Sequence, residues 1–343
     1  MLNHRFFFLW TLLAVLSASC GSSSQDHPAS TKAVAYRNPV VRASMPDPTV
    51  IRAHDGYFYV YATEDTRNVP IMKSKDLAEW TYAGRAFTEE GRPSFVTGGG
   101  IWAPDINFID GQYVLYYAMS VWGGEMTCGI GVAVSPAPAG PFADQGKLFT
   151  SDEIGVRNSI DPCYVETDDG KFLVWGSFHG IYAAPLSEDG LSLAPGAVED
   201  KVRLAGTAFE APCLEKHGDF YYLFASVGSC CAGINSTYRT VVGRSSSIWG
   251  PYVDKEGVSM VDNGYTVLIG PNEAFVGNGH NAGIVRDDAG QDWILYHGID
   301  TGHPDGGRYL LLDPVQWDVE GWPYIEGGSP STAARPLPVF TAR

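Results

Sequence analysis

Positive charge is what this sequence most lacks. Its 343 residues carry 23 Lys and Arg against 39 Asp and Glu, a formal net charge of −16. Binding a phosphate backbone needs clustered cations, so nucleic acid is excluded as the main partner. Charge of either sign is scarce at 18 % of residues, while 45 % are hydrophobic; a disordered chain shows the opposite balance. Cysteine is sparse, six residues with no CxxC spacing, which argues against a zinc site and a disulfide framework. No HExxH, GxSxG or P-loop is present, so those hydrolase classes have no support. Beyond the first twenty residues there is no apolar run long enough to span a bilayer. What is abundant is turn residues and aromatic surface, with 40 Gly, 22 Pro and 13 % aromatics. The chain reads as a turn-rich, all-β globular protein.

Residues 1–19 read as an export signal: Arg5, the apolar run from Phe6 to Leu16, then Ser17-Ala18-Ser19. These small residues end on Cys20, as in a bacterial lipoprotein whose Cys is acylated, although Leu16 stands one place further from Cys20 than the usual pattern. The competing reading is an ordinary cleaved signal. Residues 20–37 are expected to be a tether, and membrane attachment to be through lipid alone, at a bacterial outer membrane, cell surface or periplasm. Of the remaining cysteines, Cys163 and Cys213 sit in apolar strand patterns and read as buried thiols. The adjacent Cys230 and Cys231 leave a vicinal disulfide open.

One phrase recurs, a Gly-containing turn followed by an aromatic alternating strand. It appears at Asp55-Gly56-Tyr57-Phe58-Tyr59, Asp110-Gly111-Gln112-Tyr113-Val114, Asp169-Gly170-Lys171-Phe172-Leu173, Gly218-Asp219-Phe220-Tyr221-Tyr222 and, more loosely, Gly290-Gln291-Asp292-Trp293-Ile294. Each repeat has room for a four-stranded antiparallel sheet. Such a sheet cannot bury both faces alone, so five of them predict a single five-bladed β-propeller over 38–331, followed by a tail over 332–343. Upstream of each phrase stands Asp47-Pro48, Ala103-Pro104-Asp105, Asp161-Pro162, Glu210-Ala211-Pro212 or Gly279-His280-Asn281. First strands line a propeller's axis, so these side chains should converge on one funnel. Gathered carboxylates raise at least one pKa, and separate carboxylates across a cleft are the tools of glycoside hydrolysis.

At these residues the chain resembles glycoside hydrolase family 43, five-bladed propeller enzymes acting on arabinans and xylans with inversion. The resemblance implies that Asp47, in Met45-Pro46-Asp47-Pro48, is the general base. It implies that Glu210, in Phe209-Glu210-Ala211-Pro212, is the general acid, and that Asp161, in Ser159-Ile160-Asp161-Pro162, raises the acid's pKa and orients it. Inversion would set the two working carboxyls about 6.5–9.5 Å apart. His280 is implied to lie near the axis beside a calcium or sodium ion, held through water. Ile101-Trp102-Ala103-Pro104-Asp105 is similar to a segment whose Trp stacks on a sugar face. Ser229-Cys230-Cys231-Ala232-Gly233-Ile234-Asn235-Ser236-Thr237-Tyr238 is similar to a phrase of endo-1,5-α-L-arabinanases, as is Leu312 to Asp318 with Gly321-Trp322-Pro323. Trp102, Asp105, Ser159, Cys230 and Asn235 are the expected sugar contacts. The expected partner is plant cell-wall arabinan and its oligosaccharides, with endo-action favoured. The rivals are an exo-acting α-L-arabinofuranosidase or β-xylosidase on the same scaffold, and a non-catalytic arabinan-binding lipoprotein.

Overall fold

The computed structural model describes residues 34–341. The expected export signal and most of the expected tether lie outside the described residues. Within them, four-stranded antiparallel sheets follow one another along the chain. Blade I comprises Thr49–Arg52, Phe58–Tyr61, Pro70–Ser74 and Trp80–Arg85. Blade II comprises Gly100–Ile109, Gln112–Ser120, Gly129–Ser135 and Ala143–Thr150. Blade III comprises Cys163–Thr167, Gly170–Trp175, Ile181–Pro185 and Val202–Ala205. Blade IV comprises Phe209–His217, Phe220–Val227, Arg239–Ser245 and Thr266–Ile269. Blade V comprises Phe275–Gly279, Asp292–Asp300, Tyr309–Trp317 and Pro323–Tyr324, with Val285–Arg286 extending its inner edge.

The recurring phrase is the hairpin between the first and second strands of each blade. In blade II, Asp110 and Gly111 both take positive φ, 47° and 88°, between the paired Ile109 and Gln112. That two-residue turn has the twist the flanking strands need, and Asp-Gly supplies it with little strain. The strands it joins bury aromatics on both faces, because each blade packs against two neighbours. The apolar core is accordingly divided by junction. Tyr61 and Ile71 meet Leu115 and Tyr117 between blades I and II, and Tyr116 and Val132 meet Leu173 and Trp175 between II and III. Val174 and Ile181 meet Leu223 and Val241 between III and IV. Phe224 and Val242 meet Ile294 and Tyr296 between IV and V, and Leu295 and Leu312 meet Phe58 and Val60 between V and I. Five junctions for five blades close a ring, the five-bladed propeller.

The last junction is a seam made without covalent continuity. Ala35 and Tyr36 pair with Pro336 and Arg335, and the Val40 N–H donates to Leu310 O at 2.9 Å. Asn38 donates to Leu312 O and to Asp313, both at 3.0 Å. Residues expected as a tail are docked into this seam: the Val339 and Thr341 N–H groups bind Asp287 and Asp288, and Phe340 lies against Phe58.

One backbone feature repeats around the axis. Asp47, Ala103, Asp161, Ala211 and His280, one per blade, all have φ between 40° and 60°. Left-handed backbone is costly for a side chain with a Cβ, so each kink is held by its surroundings. In blades II, IV and V a register shift of the ladder accompanies it. The kink breaks the strict alternation of the inner strand. It turns the kink residue, or the one before it, toward the mouth of the axis.

Candidate active site

The kinks bring Asp47, Asp161, Glu210 and His280 into one open pocket of about 320 Å³, with Arg308 beside them. Asp47 is 9 % exposed. Its Oδ2 accepts from Thr63 Oγ1 at 2.6 Å and its Oδ1 from Arg308 Nη1 at 2.7 Å. His280 Nδ1 stands 3.3 Å from the same Oδ1. Burial alone would raise the carboxyl's pKa, but Arg308 and then His280 outweigh it and hold Asp47 well below the ordinary range. His297 is fully buried, and its Nδ1 accepts the Asp47 N–H at 3.1 Å. The same Nδ1 lies 3.3 Å from Asp47 Oδ1, and the buried Nε2 has no partner among the described residues. Burial pushes the His297 pKa down to about 4, which makes the ring neutral.

Glu210 has the opposite surroundings. Burial is the main cause that raises its pKa, and the charge of Asp47 adds to it. Hydrogen bonds from Tyr238 and Ser177 and the nearby His280 offset only part. Ser177 Oγ donates to Glu210 Oε2 at 2.8 Å and is itself held by Asn158 Nδ2 at 3.0 Å. Asp161 is pushed upward too, by burial first, against the pull of His280 and with the push of Glu210 and Asp47. Asp161 Oδ2 also accepts the Ala211 N–H at 3.0 Å, gripping the backbone next to Glu210. Asp161 thus meets Glu210 through the neighbouring backbone, and the rise in the Glu210 pKa comes chiefly from burial.

The walls of the pocket mix apolar and polar groups. Trp102 and Trp122 lie with ring centres 5.6 Å apart, and Trp122 is 81 % exposed. Phe178 and the Cys230–Cys231 pair add further apolar surface, the two cysteines joined as a vicinal disulfide, and Asp65, Ser120, Glu125 and Asn158 add polar groups. Three expected sugar contacts fall elsewhere. Asp105 lies two residues past its kink and turns down the axis, where its Oδ2 accepts the Tyr164 N–H at 2.7 Å and Asn107 Nδ2 at 2.8 Å. Ser159 is fully buried between Val156 O and Trp175 Nε1. Asn235 sits in an exposed 3₁₀ turn, Gly233–Asn235, outside the pocket lining. The kink shifts which residues face the mouth, which simple alternation does not foresee.

The expected ion meets a specific donor set. Among the described residues no three His, Cys, Asp or Glu side chains gather as a metal site. His280 spends Nδ1 on Asp47 and leaves Nε2 without a protein partner among the described residues. These groups fit an ion held by one imidazole nitrogen and water, and do not fit a cage of protein ligands.

His297, Arg308, Thr63, Ser177, Tyr238 and Trp122 were not foreseen as site residues. They come from the far ends of second strands and from loops, beyond the recurring phrase. A polar His within the apolar run Trp293-Ile294-Leu295-Tyr296-His297 was the one available signal.

The chain is similar to known proteins along most of its length. The model of glycosyl hydrolases family 43 matches residues 36–323. The extracellular exo-α-(1→5)-L-arabinofuranosidase of Cellvibrio japonicus is 34 % identical over 306 residues, 82 % of this chain and 86 % of that protein. The extracellular endo-α-(1→5)-L-arabinanase 1 of Bacillus subtilis is 33 % identical, covering 81 % of this chain and 86 % of its own length. Among solved structures, the α-L-arabinanase of Cellvibrio cellulosa in complex with arabinohexaose aligns with a TM-score of 0.75 at 32 % identity, over 83 % of this chain and 96 % of that one.

Proposed function

The chain belongs to glycosyl hydrolases family 43, and from that premise we propose that it cleaves α-1,5-L-arabinofuranosidic linkages in arabinan with inversion, by endo-action. The observation that carries the reading is the asymmetry of two carboxyls on one pocket: Asp47 is held ionised among cations and Glu210 is pushed toward its protonated form. Asp47 takes a proton from a water as that water's oxygen bonds to the anomeric carbon. Glu210 gives its proton to the glycosidic oxygen as the old bond breaks, leaving an anomer of opposite configuration. Asp161 holds the backbone beside Glu210 so that the proton is delivered in line. Trp102, Trp122 and the Cys230–Cys231 pair offer apolar surface to the furanose rings. A calcium or sodium ion on His280 Nε2 would require that ring to be neutral, and the ion's charge would then replace the imidazolium's beside the carboxyls; the chain's own residues account for each proton transfer.

A matched base and acid are of no use to a protein that only binds, which weighs against the non-catalytic reading. Exo-action is the second reading, favoured by the 34 %-identical relative named for it. A time course on linear 1,5-α-arabinan, sizing the products and recording the released anomer by NMR, separates them. Mixed oligosaccharides of inverted configuration appearing early are expected. Release of arabinose or a single short product alone would assign exo-action, and binding without any product would overturn both. We propose further that the protein is exported, as relatives named extracellular suggest, and anchored by lipid on Cys20. Labelled palmitate should enter the wild-type chain and not Cys20→Ala.

A further inference from the structure

Arg308 belongs to none of the motifs in the sequence, yet three bonds tie it to the approach to Asp47. Its N–H donates to Ser44 Oγ at 3.3 Å, its carbonyl accepts the Met45 N–H at 2.8 Å, and its Nη1 donates to Asp47 Oδ1 at 2.7 Å. The first two are contacts of the seam, continuing the line in which Val40 N–H meets Leu310 O. Arg308 therefore stands on blade V while its head group reaches the first kink of blade I. Asp47 is gripped from both sides, with Thr63 of its own blade on Oδ2 and Arg308 on Oδ1.

The other groups facing Asp47 leave Arg308 a distinct part. His280 and the neutral His297 face it from blade V, Asp161 from blade III, and Glu210 and Tyr238 from blade IV. Thr63 and Ala103, from blades I and II, are uncharged. Of these, Arg308 alone carries a charge that pH does not remove.

We infer that Arg308 is a positioning residue for the proposed base: the seam between blades V and I delivers its guanidinium to Asp47 and keeps that carboxylate aimed. The inference rests on the reading of Asp47 as base. It is tested by kcat and KM on a short arabino-oligosaccharide for the full chain and for Arg308→Met and Arg308→Lys. In Arg308→Met kcat should fall by up to about 10²-fold, the usual cost of misplacing a reacting group by about 1 Å, while KM changes little. Arg308→Lys should return most of kcat. An unchanged kcat in Arg308→Met, a loss confined to KM, or a Lys variant that tracks Met overturns the inference. Arg308→Gln, closer in size, carries the same test should the Met variant not fold. Asp47→Asn separates the two claims: if it is inactive while the Arg308 variants keep the wild-type kcat, only the role of Arg308 falls, and if it stays active the base assignment falls.

Discussion

The upper and lower halves of the propeller axis hold similar groups and do different things. Above, Asp47, Asp161 and Glu210 open on the pocket. Below, Asp105 and Glu215 are also carboxyls shielded from bulk water, and burial raises them to about 6 and about 7. Glu215 is on the same inner strand as Glu210. A raised carboxyl pKa therefore does not mark the chemistry in this protein. The upper half differs in possessing a second carboxylate held low, by Arg308 and His280, across an open space from the raised ones. The lower carboxyls are met by backbone N–H groups, Tyr164 on Asp105 and Ile284 on Glu215, and among the described residues no cationic side chain bonds to either, His280 acting on Asp105 only weakly and from a distance. A working pair needs one group pushed each way.

The comparison is broken most severely by removing either member of the upper pair. Asp47→Asn and Glu210→Gln should each lower kcat by roughly 10²–10⁴-fold, the usual worth of a positioned acid or base. Arabino-oligosaccharide affinity by calorimetry should change little, and near-normal turnover in either variant would remove that residue from its role. Trp102→Ala should come next, weakening oligosaccharide binding about tenfold with kcat less affected, and the more exposed Trp122→Ala should cost less. The smallest effect sharpens the contrast. Glu215→Gln keeps an oxygen for the Ile284 N–H and should leave turnover unchanged. Its signature is in stability. Because the folded state raises the Glu215 pKa, native protein binds more protons than unfolded chain between about pH 4, the unfolded value, and about pH 7. That group therefore makes stability fall as pH rises through this window. The Tm of Glu215→Gln relative to wild type should increase from pH 5 to pH 8, and a constant difference would show that Glu215 does not titrate as described.

The fold was legible because its unit repeats. Each hairpin phrase marks the same turn of the same blade, and even the loose copy around Gly290 falls between Val285–Arg286 and Asp292–Asp300 of blade V. The pocket was legible where a group stands in or next to an inner strand within two residues of a Pro or Asn: Asp47, Asp161, Glu210 and His280 all line it. It failed two residues away from the kinks. Asp105 and Ser159 each stand two residues from a kink, at Ala103 and Asp161, and a reading by proximity or by alternation places both at the mouth, whereas the left-handed kink breaks that alternation. It failed again for Arg308 and Trp122, which reach the pocket from loops whose course depends on the closed ring. The asymmetry between Asp47 and Glu210 is also a property of the assembled ring, because the cations beside Asp47 arrive from blade V and those residues are more than 230 positions away in the chain.

The five left-handed residues give this molecule an angular addressing system. Which groups stand at neighbouring stations, and which stand two apart, is set by counting blades and not by the length or composition of any loop. Asp47 and His280 are adjacent by that count, Asp161 and the Glu210-Ala211 station are adjacent, and Asp47 and Asp161 are separated by the station at Ala103. That intervening station presents Trp102, the residue before its kink, just as the blade IV station presents Glu210. A different side chain at Trp102 would enter the mouth at a bearing fixed in advance by the ring, which makes it the position from which the pocket can be re-addressed without moving the acid or the base.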